Sequence, residues 1–144
     1  MSFETWKPVV GFEGAYEVSD LGQVRSVDRS WRQKSKSGSD YLHKKKGKLL
    51  RPGIGGNGYP TVVLGRKAGS KTVHSLVAAS FLGPCPIGQE VRHRNGDRAD
   101  PRLSNLEYGT RSQNIKDAVA HGTWFSEARR EHLSKLVLYR WGYL

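Results

Sequence analysis

Hydrophobic and polar residues alternate in several short segments of the first half of the chain. In residues 16–20 (YEVSD) and 23–27 (QVRSV), apolar and polar side chains fall on opposite faces, which is the pattern of half-buried strands. The DLG between these segments is a turn sequence. Two further stretches, GKLLRP at 47–52 and GYPTVVLGRKAGSKTVHS at 58–75, predict two or three more strands. The pattern therefore predicts a small antiparallel β unit followed by a β-rich segment.

The hydrophobic pattern becomes helical at residue 73. In VHSLVAASFL (73–82), five residues share one helical face, namely Val73, Leu76, Val77, Ser80 and Phe81. The GPCP that follows ends this helix, because proline cannot continue it. The sequence therefore predicts one short helix that packs its apolar face on the strands before it.

The last part of the chain predicts two strands and two helices. QEVRH (89–93) and LSNLEYGT (103–110) read as strands joined by a long polar loop. RSQNIKDAVAH (111–121) reads as a helix that Gly122 closes. A basic amphipathic helix is predicted at SEARREHLSKLVLYRW (126–141), with Leu133, Leu136 and Val137 on its apolar face. Together these elements predict an α+β fold.

The positive charge is concentrated in the middle of the chain. The net charge is +11, and the stretch from Arg29 to Lys71 holds twelve Lys and Arg residues against one acid, Asp40. Basic side chains placed on phosphates release condensed counterions, so this excess indicates a polyanionic partner. The alternative is a solvated basic loop without a specific partner. Residues 28–47 are rich in Ser, Gly and Lys and lack periodicity, which predicts a mobile linker or a loop that orders on contact.

Composition excludes several classes of protein. Cys85 is the only cysteine, which excludes a disulfide framework and a multi-cysteine zinc site within one chain. No apolar run approaches the roughly 18 residues that span a membrane. The first ten residues lack the charged start and apolar centre of a signal peptide. We therefore expect a soluble, cytoplasmic protein without a membrane partner.

Residues 91–114 (VRHRNGDRADPRLSNLEYGTRSQN) contain the chemistry-bearing residues of the chain. His93 ends the first predicted strand, Asn105 begins the second, and Asn114 lies one turn inside the helix. A helix that crosses a two-stranded hairpin can bring these side chains together. Phosphodiester hydrolysis needs a base for water and a metal for the developing charge. A neutral histidine suits the first role near pH 7, and an amide oxygen can bind Mg²⁺.

Three segments of the chain resemble a known family. VHSLVAASFLGP (73–84) and EVRHRNGDRADPRLSNLEYGTRSQNIKDAVAHGT (90–123) resemble the HNH module of phage and intron-encoded homing endonucleases, a ββα-metal fold. WKPVVGFEGAYEVSDLGQVRSV (6–27) is similar to the short DNA-binding segment that often precedes this module. The resemblance implies that His93 is the general base, that Asn105 braces the loop and orients His93, and that Asn114 binds the metal. Mg²⁺ is the expected metal, with Mn²⁺ as a second choice.

The resemblance divides the α+β fold into four parts. A small β segment for DNA binding spans 1–27, and a basic linker with a β-ribbon spans 28–71. The HNH module spans 72–123, and a C-terminal amphipathic helix spans 124–144.

The residue before the general base departs from the family pattern. In the family this residue is often an acid that also binds the metal, whereas here it is Arg92. Arginine has no acceptor and stays protonated, so it cannot be a metal ligand. Arg92 could instead grip a phosphate. Asp117 and His121 follow Asn114 on roughly one helical face, where each either supplies a ligand or faces solvent.

Several basic residues outside this constellation are candidates for contacts with DNA. Arg25 lies on an alternating strand, Lys44, Lys45 and Lys46 form a basic run, and Arg51 precedes a glycine-rich stretch. Contacts of this kind to phosphates position a duplex without reading its sequence. Arg92 is a further candidate for such a contact.

The resulting hypothesis is a metal-dependent endonuclease that acts on double-stranded DNA. A single site of this type cuts one strand, so a monomer is expected to nick, and cleavage of both strands would need a dimer or two visits. The expected state is a monomer or a weak dimer. The host cytoplasm is the expected location if a phage encodes the protein. The alternative is a DNA-binding protein that has lost cleavage because Arg92 replaces the acid. A basic RNA-binding or ribosome-associated protein fits the charge but leaves residues 91–114 unexplained.

Overall fold

The structure is a computed structural model that describes residues 3–66 and 68–122. Its strands in chain order are β1 (Trp6–Pro8), β2 (Tyr16–Ser19), β3 (Val24–Ser26), β4 (Arg29–Lys34), β5 (Asp40–Lys45), β6 (Lys48–Leu49), β7 (Gly53–Ile54), β8 (Pro60–Val63), β9 (Ser70–Thr72), β10 (Gln89–His93) and β11 (Leu106–Thr110). The helices are α1 (Val73–Phe81), α2 (Arg111–Ala120) and a 3₁₀ turn at Leu103–Asn105. The described residues thus form an α+β fold. The helix predicted at 126–141 lies outside them.

The strands form four small antiparallel sheets. The first has the order β1-β2-β3-β6, the second is the β4–β5 hairpin, the third has the order β7-β8-β9, and the fourth is the β10–β11 hairpin. Alternation sets the inner face of the first sheet. Tyr16 and Val18 on β2 and Val24 and Ser26 on β3 are buried, as the period of two requires.

Helix α1 joins three of these sheets into one hydrophobic core. It contacts β1 and β2 of the first sheet, β8 and β9 of the third, and both strands of the β10–β11 hairpin. The buried core residues are Val9, Tyr16, Val18, Val24, Val62, Leu64, Val73, Leu76, Val77 and Leu106. The predicted helix at 73–82 is confirmed, and Val73, Leu76 and Val77 of its predicted apolar face are buried.

The segment 28–47 differs from the predicted linker or loop. It forms the β4–β5 hairpin, with Arg29 opposite Lys45 and Lys34 opposite Asp40. Nearly every residue of both strands is exposed, so neither face shows the alternation that marks a half-buried strand. Trp31 stacks on His43 across the strands, with ring centroids 5.2 Å apart. Backbone pairing and cross-strand contacts thus form a hairpin that hydrophobic periodicity does not reveal.

The hairpin and helix predicted after residue 89 are confirmed. β10 has the predicted bounds, while the first residues of LSNLEYGT form the 3₁₀ turn and β11 starts at Leu106. Thr110 caps α2 through a capping box with Gln113, so the helix starts directly after β11. Gly122 follows the helix with a φ of 67°, a left-handed conformation that favours glycine.

Among the described residues, no helix combines the length and the apolar character that crossing a bilayer demands.

Leu106 links the β10–β11 hairpin to the core, since it is 3% exposed and belongs to the same buried cluster as α1. Leu106→Ala is expected to lower the free energy of unfolding by about 2–5 kcal/mol in chemical denaturation, because it leaves a cavity. Leu49→Ala is the matched control, because Leu49 is 59% exposed. Equal losses in the two variants would show that the hairpin does not depend on this core.

Candidate active site

The β10–β11 hairpin and α2 place the three predicted residues around one groove. His93 is the last residue of β10 and pairs with Leu106, the first residue of β11. Asn105 immediately precedes β11, and α2 follows that strand without a loop. The groove between hairpin and helix has a volume of about 310 Å³, and His93 and Asn114 both line it. Asn105 does not line it and lies behind the loop.

Asn105 fastens the loop between the two strands. Its side chain is buried, its Oδ1 accepts a hydrogen bond from the Asn95 backbone N at 2.9 Å, and its Nδ2 donates to the Asp100 carbonyl at 3.0 Å. The Asn105 carbonyl also accepts from the Arg94 backbone N at 2.8 Å. One residue therefore holds the start and the middle of the loop, and the loop fixes the end of β10, where His93 lies.

His93 is shielded from solvent but keeps a free ring nitrogen. It is 7% exposed, and its Nε2 has no hydrogen-bond partner among the described residues. Burial lowers the pKa of His93 from its ordinary value of 6.5, Asp100 and Asp97 oppose this shift, and Arg98 adds to it. The imidazole is therefore neutral at pH 7 and able to accept a proton.

Two other rings pack on His93. The centroids of His74 and His93 are 5.0 Å apart, those of Tyr59 and His93 are 5.8 Å apart, and those of Tyr59 and His74 are 4.7 Å apart. Burial, helped by His93, lowers the pKa of His74 to about 4. The guanidinium of Arg98 lies 5.6 Å from the Tyr59 ring and donates to the Asn57 carbonyl at 3.2 Å. The sequence analysis did not indicate Tyr59, because no residue pattern connects it to His93.

Asp100 stabilises the same loop through Arg102. Arg102 donates to the Asp100 carboxylate through Nε and Nη2, each at 2.7 Å. These hydrogen bonds lower the pKa of Asp100 to about 2, so this carboxylate remains charged beside His93.

Asn114 contacts a residue that the sequence pattern did not indicate. Its Nδ2 donates to Oε1 of Glu90 at 2.6 Å, and both residues line the groove. Glu90 lies two positions before Arg92 and so on the same face of β10, which is the one signal that could have found it. Arg98 and Arg111 also line the groove and give it two cations.

Arg92 is bound by two acids. Its Nε donates to Asp117 Oδ2 at 2.7 Å, and its Nη1 lies 3.4 Å from Glu107 Oε1. The side chain is 18% exposed, and a Cβ at Gly109 would overlap its Cδ. Arg92 therefore fastens α2 to the hairpin.

The sequence left open whether Asp117 and His121 are metal ligands or face solvent. In the structure, both contact residues of β10 or of the loop directly after it. Asp117 pairs with Arg92, and His121 Nε2 lies 3.1 Å from the Arg94 carbonyl oxygen.

The predicted DNA-binding residues lie away from the groove. Arg25 donates to Glu17 Oε2 at 2.7 Å and its guanidinium lies 4.0 Å from the Trp6 ring. Lys44 and Lys45 are exposed on β5, and Lys46 and Arg51 are exposed beyond β5 and β6. Four cations thus lie free on the surface of the basic segment, while Arg25 has partners within the first sheet.

The hairpin has His93 at the end of its first strand, and the helix that follows carries Asn114 on the same groove. This arrangement is a ββα module. Residues 71–116 match the family described as HNH endonuclease, and residues 4–65 match the NUMOD4 motif. The chain therefore contains an HNH endonuclease segment at residues 71–116, which follows a NUMOD4 motif at residues 4–65. The recognition predicted from the sequence is thus confirmed.

Individual relatives agree with these matches. The chain is 29% identical over 133 residues to DNA endonuclease I-HmuI of Bacillus phage SP01. The matched residues cover 91% of this chain and 66% of that protein. It is 35% identical over 123 residues to an uncharacterized HNH endonuclease, L247, of Acanthamoeba polyphaga mimivirus. This match covers 81% of this chain and 26% of the relative.

A solved structure described as DNA binding and cleavage by the HNH homing endonuclease I-HmuI is similar in fold. The TM-score is 0.63 at 28% identity, and the match covers 90% of this chain and 66% of that one. The chain therefore spans about a quarter to two thirds of the length of these relatives.

The packed rings predict a dependence of stability on pH. An unfolded histidine binds a proton near pH 6.5, whereas His74 in the folded protein resists protonation down to about pH 4. The unfolded state therefore binds more protons as the pH falls from 6.5 to 4, and the native state loses stability across that window. His74→Phe is expected to lessen this loss in urea denaturation at pH 7, 5.5 and 4.5. Parallel curves for the two proteins would contradict the proposed burial of His74.

Proposed function

We propose that the chain is a metal-dependent DNA endonuclease that hydrolyses phosphodiester bonds in double-stranded DNA and nicks one strand as a monomer. The observation that carries this proposal is His93, which lines a groove together with Asn114 and whose buried Nε2 has no partner in the described residues. The position of both residues in an HNH module, and the DNA cleavage described for I-HmuI, support it.

The chemistry of the groove fits a divalent cation. Its lining includes the amide of Asn114 and carboxylates, and oxygen atoms are the donors that Mg²⁺ prefers. No group of three His, Cys, Asp or Glu residues suited to a metal occurs in the described ranges, so phosphate oxygens and water would have to complete the ligand set of a bound cation. Asn114 is the residue of α2 that holds the cation, Mg²⁺ or Mn²⁺. When bound, the cation supplies positive charge against the charge that develops on the phosphate.

The protein residues have separate roles in this proposal. Neutral His93 takes a proton from the attacking water through its free Nε2. The imidazolium that forms is stabilised by the Asp97 and Asp100 carboxylates, which favour the charged ring. Asn105 acts indirectly, because it holds the loop that carries these acids. Arg98 and Arg111 bind phosphate oxygens in the groove.

The exposed basic hairpin holds the duplex. The major groove of DNA accepts a two-stranded β-ribbon, and β4–β5 has cations on exposed strands. Successive residues of a strand point to opposite faces, so Lys44 and Lys45 reach the phosphates on both sides of a groove. Lys46 and Arg51 extend this surface, and Arg25 contributes less because Glu17 holds it.

A second candidate function is a DNA-binding protein that has lost cleavage. Arg92 carries this alternative, because it stands where the family often has a metal-binding acid. Against it, Arg92 is occupied by Asp117 and Glu107 and does not line the groove. The groove therefore keeps its oxygen donors despite the arginine.

Cleavage of a supercoiled plasmid tests the nuclease. The protein with Mg²⁺ or Mn²⁺ is expected to yield open circles, and EDTA is expected to abolish them. His93→Ala is expected to lower the rate about 10²–10⁴-fold, the usual contribution of a general base. Unchanged unfolding and plasmid retardation by the variant serve as the control. Linear product at the same protein level contradicts single-strand nicking, and retardation without cleavage by the wild type favours the alternative.

The role of the hairpin is tested by the salt dependence of DNA affinity. Replacing Lys44 and Lys45 by serine is expected to weaken binding and to reduce the slope of log K against log salt by roughly 2, at about 0.9 for each lost phosphate contact. The control replaces Lys7 and Lys71, which removes the same charge from β1 and β9. If both double variants lose the same slope, total charge rather than the hairpin determines binding.

A further inference from the structure

Three carboxylates lie where α2 crosses the β10–β11 hairpin, and they differ in their partners. Asp117 pairs with Arg92, and Glu107 lies 3.4 Å from both Arg92 and Arg94. Glu90 has no ion pair within residues 3–66 and 68–122, and its hydrogen-bond partner is the neutral amide of Asn114. Of the three acids, Glu90 alone keeps its charge available to a bound cation.

The placement of these residues follows from the two periodicities. Glu90 and Arg92 are two positions apart on one face of β10, and Asn114 and Asp117 are three apart on one face of α2. The two faces meet, so Glu90 lies against Asn114 and Arg92 against Asp117. Arg92 and Asp117 form an ion pair in which the two charges balance. The other pair is a carboxylate beside an amide, which is a suitable pair of oxygen donors for Mg²⁺ or Mn²⁺.

We infer that Glu90 is the carboxylate ligand of the divalent cation, acting together with Asn114, and that Arg92 is a positioning residue that neutralises the neighbouring acids. This inference rests on the proposed nuclease function. In the structure the Asn114 nitrogen donates to Glu90. Rotation of the amide exchanges its nitrogen for its oxygen, which places two oxygen donors side by side.

A second observation at the same groove points to a ligand. His93 lines the same groove as Glu90 and Asn114, and its buried Nε2 has no partner within the described residues. A buried polar atom without a partner is costly unless a water or ligand satisfies it. A cation held by Glu90 and Asn114 would bring water and phosphate oxygens into the groove that His93 lines.

The experiment measures Mn²⁺ binding to the full chain, independently of cleavage. Paramagnetic Mn²⁺ is titrated while the NMR signals of the Asn114 side-chain amide and the Glu90 backbone are followed, and calorimetry gives the affinity. Both signals are expected to broaden first in the wild type. Glu90→Gln keeps the size and hydrogen bonding of the side chain and removes its charge. It is expected to weaken Mn²⁺ binding tenfold or more and to raise the Mn²⁺ concentration needed for nicking by a similar factor.

Glu107→Gln is the matched control, because it removes the same charge from the neighbouring strand. It is expected to change Mn²⁺ affinity less than twofold. Wild-type affinity in Glu90→Gln, equal losses in both variants, or no broadening of Asn114 in the wild type would overturn the assignment of Glu90.

Cleavage separates this failure from a failure of the proposed function. Nicking that is lost in His93→Ala and Asn114→Ala but kept in Glu90→Gln overturns the role of Glu90 alone. A wild type that binds DNA and never nicks it overturns the nuclease itself, while a loss of Mn²⁺ binding specific to Glu90→Gln would still support the ligand.

Discussion

The burial of α1 is the constraint on which the rest of the structure depends. None of the four sheets has more than four strands, and small sheets of this kind gain independent stability only when a hydrophobic face is covered. Val73, Leu76 and Val77 cover the first sheet, the β7–β9 sheet and the end of the β10–β11 hairpin together. The NUMOD4 motif and the HNH module therefore share one core. The β4–β5 hairpin stands outside that core, so its exposed side chains are free for another partner.

Polar contacts determine the geometry of the site on this scaffold. Asn105 hydrogen-bonds to the start and the middle of the loop, and Arg92 joins the hairpin to α2. Among the described residues, the buried side-chain nitrogen and oxygen atoms without a hydrogen-bond partner are one ring nitrogen each of His74 and His93 and one oxygen of Glu4. An imidazole with a free nitrogen and a depressed pKa is suited to accept a proton at neutral pH.

Sequence patterns predicted the elements whose side chains alternate or recur helically. The hairpin at 89–110 and the helix at 73 follow from the positions of Val91, Leu106 and Val77, each of which meets the core or lies against it. The β4–β5 hairpin could not be found in this way, because both of its faces are exposed. Around His93, the sequence predicted only the residues that lie close to it along the chain. Tyr59 enters the site through tertiary packing, which spacing in the sequence does not encode, and the two-residue spacing from Arg92 was the one sequence signal for Glu90.

The contact between Tyr59 and His93 has a consequence for how this protein can be recombined. Tyr59 precedes β8, within the span of the NUMOD4 match, whereas His93 belongs to the HNH module. The two matched segments are separate in sequence but contribute rings to one cluster. A chimera joined between residues 65 and 71 would inherit the nuclease motif intact and lose the aromatic wall beside its histidine. The transferable unit of this protein is therefore larger than the motif by which it is recognised.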